Sequence, residues 1–262
     1  MNIFQAVVLG VIQGLTEFLP VSSSGHLVFV PVLFGWSDQG LTFDVVVHLG
    51  SLLAVILYFR KRLWQLLRSL FVSEEKETRH LALILVFSII PAGVAGLLFG
   101  DWIEANLRAT SVVAWGLIFW GVMLWFAERT SLQEKKNKQV NWSRGAWIAC
   151  AQALALIPGT SRSGITMTAG MFAGLSKKTA AEFSFLMSVP VILVAGAVKL
   201  LRLIETGGEG ALVSGPMLFG FVAAAISGFV AIAGLMKVIQ KWSFKPFVVY
   251  RIFIGVLILL FL

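Results

Sequence analysis

The sequence predicts an all-α polytopic membrane protein: six transmembrane helices plus two re-entrant helix–loop–helix hairpins, arranged as an inverted-topology repeat. Three observations carry that prediction. Hydrophobic residues make up 58% of the 262-residue chain and charged residues only 13%, against about 45–50% and about 25% in soluble domains. The apolar residues gather into runs long enough to cross a bilayer as helices, which takes about 20 residues. Two of the apolar stretches are broken in the middle by related Pro/Gly/Ser segments. A mean hydropathy of +0.89 excludes a soluble enzyme, a disordered chain, a disulfide scaffold and a DNA-binding domain. The single cysteine, Cys150, has no partner in the chain for an internal disulfide.

Taken in order, the first broken stretch is Ile3–Leu33, interrupted at Pro20–Gly25. Spans follow at Phe43–Phe59, Leu81–Phe99 and Ser111–Ala127. The second broken stretch is Gly145–Gly174, interrupted at Pro158–Gly164, and its spans are Phe183–Leu201, Pro216–Met236 and Pro246–Leu262. Each half of a broken stretch is too short to span comfortably. Irregular polar backbone at membrane depth survives only when buried in protein or lining a wet cavity, so both stretches read as re-entrant hairpins. The segment Gln13–Gly25 lies over Gln152–Gly164 at an offset of 139 residues, matching Gln13 with Gln152, Leu15 with Leu154, Ser22 with Ser161, Ser24 with Ser163 and Gly25 with Gly164. One membrane domain, residues 1–262, is therefore expected, with repeat 1 over about 1–130 and repeat 2 over about 140–262. Three spans after each hairpin is an odd number, so the second copy is inverted, and the functional site belongs at the repeat interface near the midplane.

Charge sets the orientation. Loops of one parity, Arg60–Arg79, Arg129–Arg144, Lys177–Lys178 and Lys237–Arg251, hold seventeen Lys and Arg; those of the other hold Arg108, Lys199 and Arg202. The rich loops are cytoplasmic by the positive-inside rule, and the net charge of +8 is accounted for without a nucleic-acid partner. Both termini and the first hairpin's mouth then face outside. Gly10-x-x-x-Gly14, Gly96-x-x-x-Gly100 and Gly170-x-x-x-Gly174 predict close helix packing. Trp36, Trp64, Trp102, Trp142 and Trp242 fall near span ends and read as interface anchors.

The site candidates follow from cost. A charge at the bilayer centre costs about 2.5–3.5 kcal/mol on insertion scales, so Glu17 and Arg162, each inside a broken apolar stretch, need a partner or a wet cavity. Around them stand Ser22, Ser23, Ser24, His26, Thr160, Ser161 and Ser163, more donors than an ion pair uses. Gly25 and Gly164 mark two half-helix starts, whose free N–H groups and positive dipole ends attract anions. Arg162 adds a bidentate fork suited to phosphate. Together these read as a phosphate or carboxylate cradle, although each single serine reads equally well as an N-cap. His26 follows the serines within a turn and can act as general acid or base. Gln13 and Glu17 share a helix face; Glu17 either holds a divalent cation or positions His26 or a serine. Asp44 and His48, also four residues apart, read as dipole compensation and an interfacial histidine.

These residues resemble a known family. Gln13–His26, with its Thr-Glu-Phe-Leu-Pro-Val-Ser-Ser-Ser-Gly-His run, and Pro158–Gly164 resemble the paired signature of bacterial undecaprenyl-diphosphate phosphatases of the bacitracin-resistance type. Glu182-Phe-Ser-Phe and Phe247-Val-Val-Tyr-Arg251 also fit it. The resemblance implies a multi-pass enzyme of the bacterial cytoplasmic (inner) membrane whose site opens to the outer face. It implies removal of the terminal phosphate from a C55 lipid diphosphate, which recycles the carrier for cell-wall synthesis and confers bacitracin resistance. Dependence on a divalent cation (Mg or Ca) and a polyprenyl diphosphate substrate come with it; a homodimer is a separate expectation about partners. The family's catalytic serine, histidine and arginine fall on Ser23, His26 and Arg162. Its paired-carboxylate motif carries Gln13 in the first place, which leaves Glu17 as the essential carboxylate. Ser24-Gly25-His26 also looks like part of the type 2 phosphatidic acid phosphatase signature, but the second His and the Asp that should follow Ser161-Arg162 are missing. The alternative from another class is a secondary transporter or lipid flippase, since inverted repeats with broken helices are common in transporters.

Overall fold

A computed structural model describes residues 1–72, 76–107, 109–133, 139–205 and 214–261. Among these residues all regular structure is helical. Arg108, Lys135, Lys136, Lys138 and Leu262, used above for charge and span limits, lie outside the described residues. The chain is a polytopic membrane protein: five helical stretches are long and apolar enough to cross a bilayer.

The first broken stretch folds as α1 (Ile3–Phe18) and α2 (Ser23–Phe34). Asn2 opens α1 through a capping box with Gln5, at 2.9 and 3.0 Å. The spans at Phe43–Phe59 and Ser111–Ala127 are α3 (Gly40–Tyr58) and α7 (Thr110–Gln133). Between them α4 (Arg60–Ser69) is short and basic. The stretch expected at Leu81–Phe99 is two helices end to end, α5 (Lys76–Phe87) and α6 (Ile89–Asn106). Pro91 explains the break: it has no N–H for the Phe87 carbonyl, and its ring crowds that carbonyl. The second broken stretch is α8 (Trp142–Ala153), a 3₁₀ turn at Leu154–Leu156, and α9 (Arg162–Phe172). The last three helices are α10 (Lys177–Glu205), α11 (Gly215–Val238) and α12 (Lys245–Phe261). α12 has 17 residues, about 25 Å at 1.5 Å per residue.

Packing interleaves the two halves. α1 lies on α11, α8 lies on α6, and α7 lies on α12. A Cβ on Gly10 would strike the Gly220 carbonyl, and one on Gly14 would strike Ser227 and the Ala224 carbonyl, so glycine there sets the helix separation. The other two small-residue motifs do not act this way. A Cβ on Gly96 would only touch Leu156 at 4.0 Å and one on Gly100 would meet nothing. Gly174 has φ +85° and terminates α9, a backbone role, while Gly170 does pack, against Ala180. Trp64, Trp102, Trp142 and Trp242 are exposed near helix ends.

The break loops share an uncommon backbone device. Ser22 and Ser161 are the two non-glycine residues with positive φ among the described ones, at 74° and 73°. Each stands immediately before its second half-helix. Such conformations cost about 1–3 kcal/mol and persist only where surroundings impose them. Arg251, fully buried, is the imposing group. Its guanidinium donates to the carbonyls of Pro20 (3.2 Å), Gly159 (3.0 Å) and Thr160 (3.0 Å), and to Gly116 and Leu117 of α7 (3.3 and 3.1 Å). One side chain from α12 thus ties both break loops to α7.

Candidate active site

The ends of α1, α2 and α9 meet. Glu17, in the last turn of α1, accepts from Arg162 Nη2 through Oε1 at 2.7 Å. Its Oε2 accepts from Ser23 Oγ at 2.7 Å and from Gln13 Nε2 at 3.0 Å. Arg162 Nη1 donates to the Ser184 carbonyl of α10 at 3.0 Å, which fixes the guanidinium. Ser163 Oγ donates to the Leu19 carbonyl at 3.0 Å, a second direct tie between the loops. Glu17 is buried and Ser23 half-buried. A buried carboxylate survives when paired and hydrogen-bonded, and the three donors to Glu17 satisfy that condition.

A cavity of about 240 Å³ opens over this cluster, lined by Glu17, Ser23, Ser24, Ser161, Arg162 and Gln152 among polar groups, and by His48 of α3 and Lys199 of α10. The two helix starts differ in what they offer it. Ser161 Oγ caps α9 by accepting from Gly164 N at 3.1 Å. Ser22 makes no such bond to α2; its Oγ lies 3.4 Å from Ser24 Oγ. The N–H groups opening α2 therefore stay available to an anion beside Ser23. Gly25 and Gly164 are both buried. Thr160 is buried, its Oγ1 without a hydrogen-bond partner.

His26 is placed differently from expectation. Its Nδ1 lies 2.7 Å from the Ser22 carbonyl, which can only accept, so Nδ1 carries the proton. Nε2 then accepts from the Tyr250 hydroxyl at 2.6 Å, with the two rings stacked. Both nitrogens are engaged, and neither bonds Ser23. The group bonded to the Ser23 hydroxyl is the Glu17 carboxylate, in line with the reading in which Glu17 positions a serine. The imidazole that does line the cavity is His48. It donates from Nδ1 to the Asp44 carbonyl at 2.6 Å and turns Nε2 toward Glu17 Oε2 at 3.7 Å. Asp44 is held by Gln39 Nε2 at 2.9 Å.

Gln13 Oε1 is buried with no hydrogen-bond partner, one turn from Glu17. Gln13 turns Nε2 rather than Oε1 to Glu17 and does not line the cavity. Glu17 is therefore the carboxylate the cavity offers to a hard cation, which would take its remaining ligands from phosphate and water, the habit of Mg²⁺. No group of three His, Cys, Asp or Glu that could hold a metal by protein ligands alone occurs among the described residues.

Sequence reasoning passed over Arg251, Tyr250, Lys199 and the cavity-facing role of His48. Arg251 carried a usable signal: it is a charge within the apolar run Pro246–Leu262, the same cost argument that singled out Glu17 and Arg162. Lys199, near the end of the apolar run Phe183–Leu201, carries the same signal; the placing of Tyr250 and of the His48 ring arises from helix packing.

A serine hydroxyl bonded to a buried carboxylate, a fixed guanidinium and an open helix start, inside a bundle of membrane helices, define a membrane-embedded enzyme of the hydrolase class. The chain belongs to the family described as bacitracin resistance protein BacA, which it matches over residues 6–257. It is 46% identical over 266 aligned positions to undecaprenyl-diphosphatase 2 of Stutzerimonas stutzeri (strain A1501), covering 99% of this chain and 98% of that protein. It is 42% identical to undecaprenyl-diphosphatase 1 of Pseudoalteromonas translucida (strain TAC 125), covering 100% of this chain and 99% of the relative.

Proposed function

We propose that the protein is an undecaprenyl-diphosphate phosphatase, releasing inorganic phosphate and leaving undecaprenyl phosphate. The observation that carries the reading is the Ser23–Glu17–Arg162 chain at the cavity floor, at 2.7 Å per link, together with full-length kinship to relatives named for that activity. The terminal phosphate sits between Arg162 and the open N-terminus of α2. Ser23 Oγ attacks its phosphorus in line while its proton passes to Glu17 Oε2. The bond from phosphorus to the bridging oxygen breaks, and that oxygen leaves with its electron pair on the prenyl phosphate. Water then attacks the phosphoserine and gives a proton to a phosphate oxygen. The bond from phosphorus to Ser23 Oγ breaks, Oγ keeps the electron pair and takes back the proton held by Glu17, and inorganic phosphate leaves. Charge stabilisation by Arg162 and the α2 amides supplies most of the acceleration.

His26 acts as a positioning residue: its bond to the Ser22 carbonyl braces the strained residue that presents Ser23. Glu17 would hold a divalent cation entering with the diphosphate, and such an ion when bound adds charge neutralisation on the phosphate oxygens. The layout that supports this chemistry is six spans with α1–α2 and α8–α9 as inverted re-entrant hairpins. The 139-residue repeat and the matched φ angles at Ser22 and Ser161 support it. With the basic loops cytoplasmic, the site opens to the outer face of the bacterial inner membrane, where the product re-enters the cell-wall carrier cycle and bacitracin resistance follows.

Phosphate release from a prenyl diphosphate by purified protein in detergent tests the reading, because no gradient exists there. Release that disappears in Glu17→Gln supports it. No release, with lipid movement in sealed vesicles, would favour a flippase.

A further inference from the structure

Lys199 has no place in the chemistry above, yet it lines the same cavity as Ser23 and Arg162. It stands on α10 at the end of a lining face, Val191, Ile192, Ala195, Gly196 and Lys199, whose spacing is one helical stripe. Lys199 is about 12 Å along the axis from Val191 at 1.5 Å per residue. It is exposed, and it makes no hydrogen bond or ion pair with the described residues.

Charge counting shows what it is for. The acidic and basic residues lining the cavity are Glu17, Arg162, His48 and Lys199. Glu17 and Arg162 cancel at 2.7 Å. The floor that receives the transferred phosphate is thus close to neutral, while a diphosphate is a polyanion. Lys199 is the lining cation without an ion pair among the described residues; its field also reaches Asp44 of α3, which does not line the cavity. A lysine ammonium on a flexible four-carbon stem is a mobile point donor, able to follow a phosphate at the mouth of the cavity while Arg162 stays fixed to Ser184 below.

We propose that Lys199 binds the lipid-side phosphate, the one that is retained, and thereby makes the site prefer diphosphates to monophosphates. The proposal rests on the phosphatase reading for its substrate. Its chemistry, a second phosphate held beside the first, can also be read with inorganic pyrophosphate and inorganic phosphate as probes.

The experiment compares wild type with Lys199→Ala, Lys199→Glu and Lys199→Arg in detergent, with folding checked by thermal melting. Lys199→Ala raises KM for prenyl diphosphate about tenfold, the worth of one charged hydrogen bond, with kcat within about twofold; Lys199→Glu raises it further and Lys199→Arg restores it. Pyrophosphate inhibition weakens by a similar factor in Lys199→Ala, while phosphate inhibition is unchanged. An unchanged KM in Lys199→Ala and Lys199→Glu overturns the proposal, as does equal weakening of both inhibitors, which marks a general field. Wild type without prenyl diphosphate hydrolysis removes the phosphatase reading instead. Lys199 is then judged by ligand-induced thermal shifts: a pyrophosphate shift lost in Lys199→Ala supports it, and a shift retained overturns it.

Discussion

The two break loops have nearly the same backbone and opposite equipment. At an offset of 139 residues Ser22 matches Ser161, Ser24 matches Ser163 and Gly25 matches Gly164, and the two leading serines share φ near 74°. Between the matched positions the copies diverge. Glu17 corresponds to Leu156, Ser23 to Arg162 and His26 to Ile165. The first loop presents a hydroxyl, a carboxylate and an uncapped helix start; the second presents a guanidinium and a helix start closed by its own serine. On the proposed mechanism the first of these two similar loops reacts and the second holds. Arg251, which donates to carbonyls of both loops, keeps them in register.

That comparison is broken first at Arg251. Replacing it with Met leaves the loop carbonyls of Pro20, Gly159 and Thr160 short of a donor, each worth about 1–3 kcal/mol. We expect Arg251→Met to fail to fold or to lose both activity and thermal stability; a variant that melts like wild type would show that the loops hold themselves. Next comes the Glu17–Arg162 pair. Arg162→Lys keeps the charge but loses the fork, and phosphate release is expected to fall at least about 100-fold, in line with the loss of a transition-state donor. Near wild-type turnover in Arg162→Lys, measured in detergent, would reduce Arg162 to a bulk positive charge.

The glycines give a smaller, sharper contrast. A Cβ on Gly164 would meet Arg251 Nη1 at 2.8 Å and Ser161 Cβ at 3.1 Å, whereas one on Gly25 would meet Val113 and Ser22 at 3.4 and 3.5 Å. Gly164→Ala is expected to destabilise by about 1–3 kcal/mol, as overpacking does, and Gly25→Ala by less. Equal melting temperatures for the two variants would mean that the second loop is no more tightly packed than the first. The smallest effect concerns His26. Tyr250→Phe removes the hydroxyl that Nε2 accepts from, while the Ser22 carbonyl keeps its bond. Turnover should fall less than about tenfold, within one neutral hydrogen bond. A loss as large as that of Ser23→Ala would return His26 to the proton path.

Much of this was legible in the chain. The broken apolar stretches, their kinship and the two costly charges follow from composition and the expense of burying polar groups in lipid, and those two charges lie 2.7 Å apart. The partner of the Ser23 hydroxyl was less legible, because a spacing of three residues lets Ser23 and His26 meet and only the packing of other helices decides otherwise. Ser23 turns to Glu17 while His26 turns to Tyr250, 224 residues away in sequence. The break at Ser88 was readable from Pro91 but was hidden by uniform hydrophobicity. Gly96 and Gly100 show the limit of motif reading: small residues permit close approach, and only the neighbouring helix decides whether it happens.

The claim that one loop reacts and the other holds is tested most directly by separating binding from turnover. Binding of prenyl diphosphate and its rate of phosphate release are to be measured on Ser23→Ala and Arg162→Ala. The account predicts that Ser23→Ala binds with wild-type affinity and releases phosphate at least about 1,000-fold more slowly, as loss of an activated nucleophile does, while Arg162→Ala loses affinity as well as rate. Wild-type phosphate release by Ser23→Ala would contradict it.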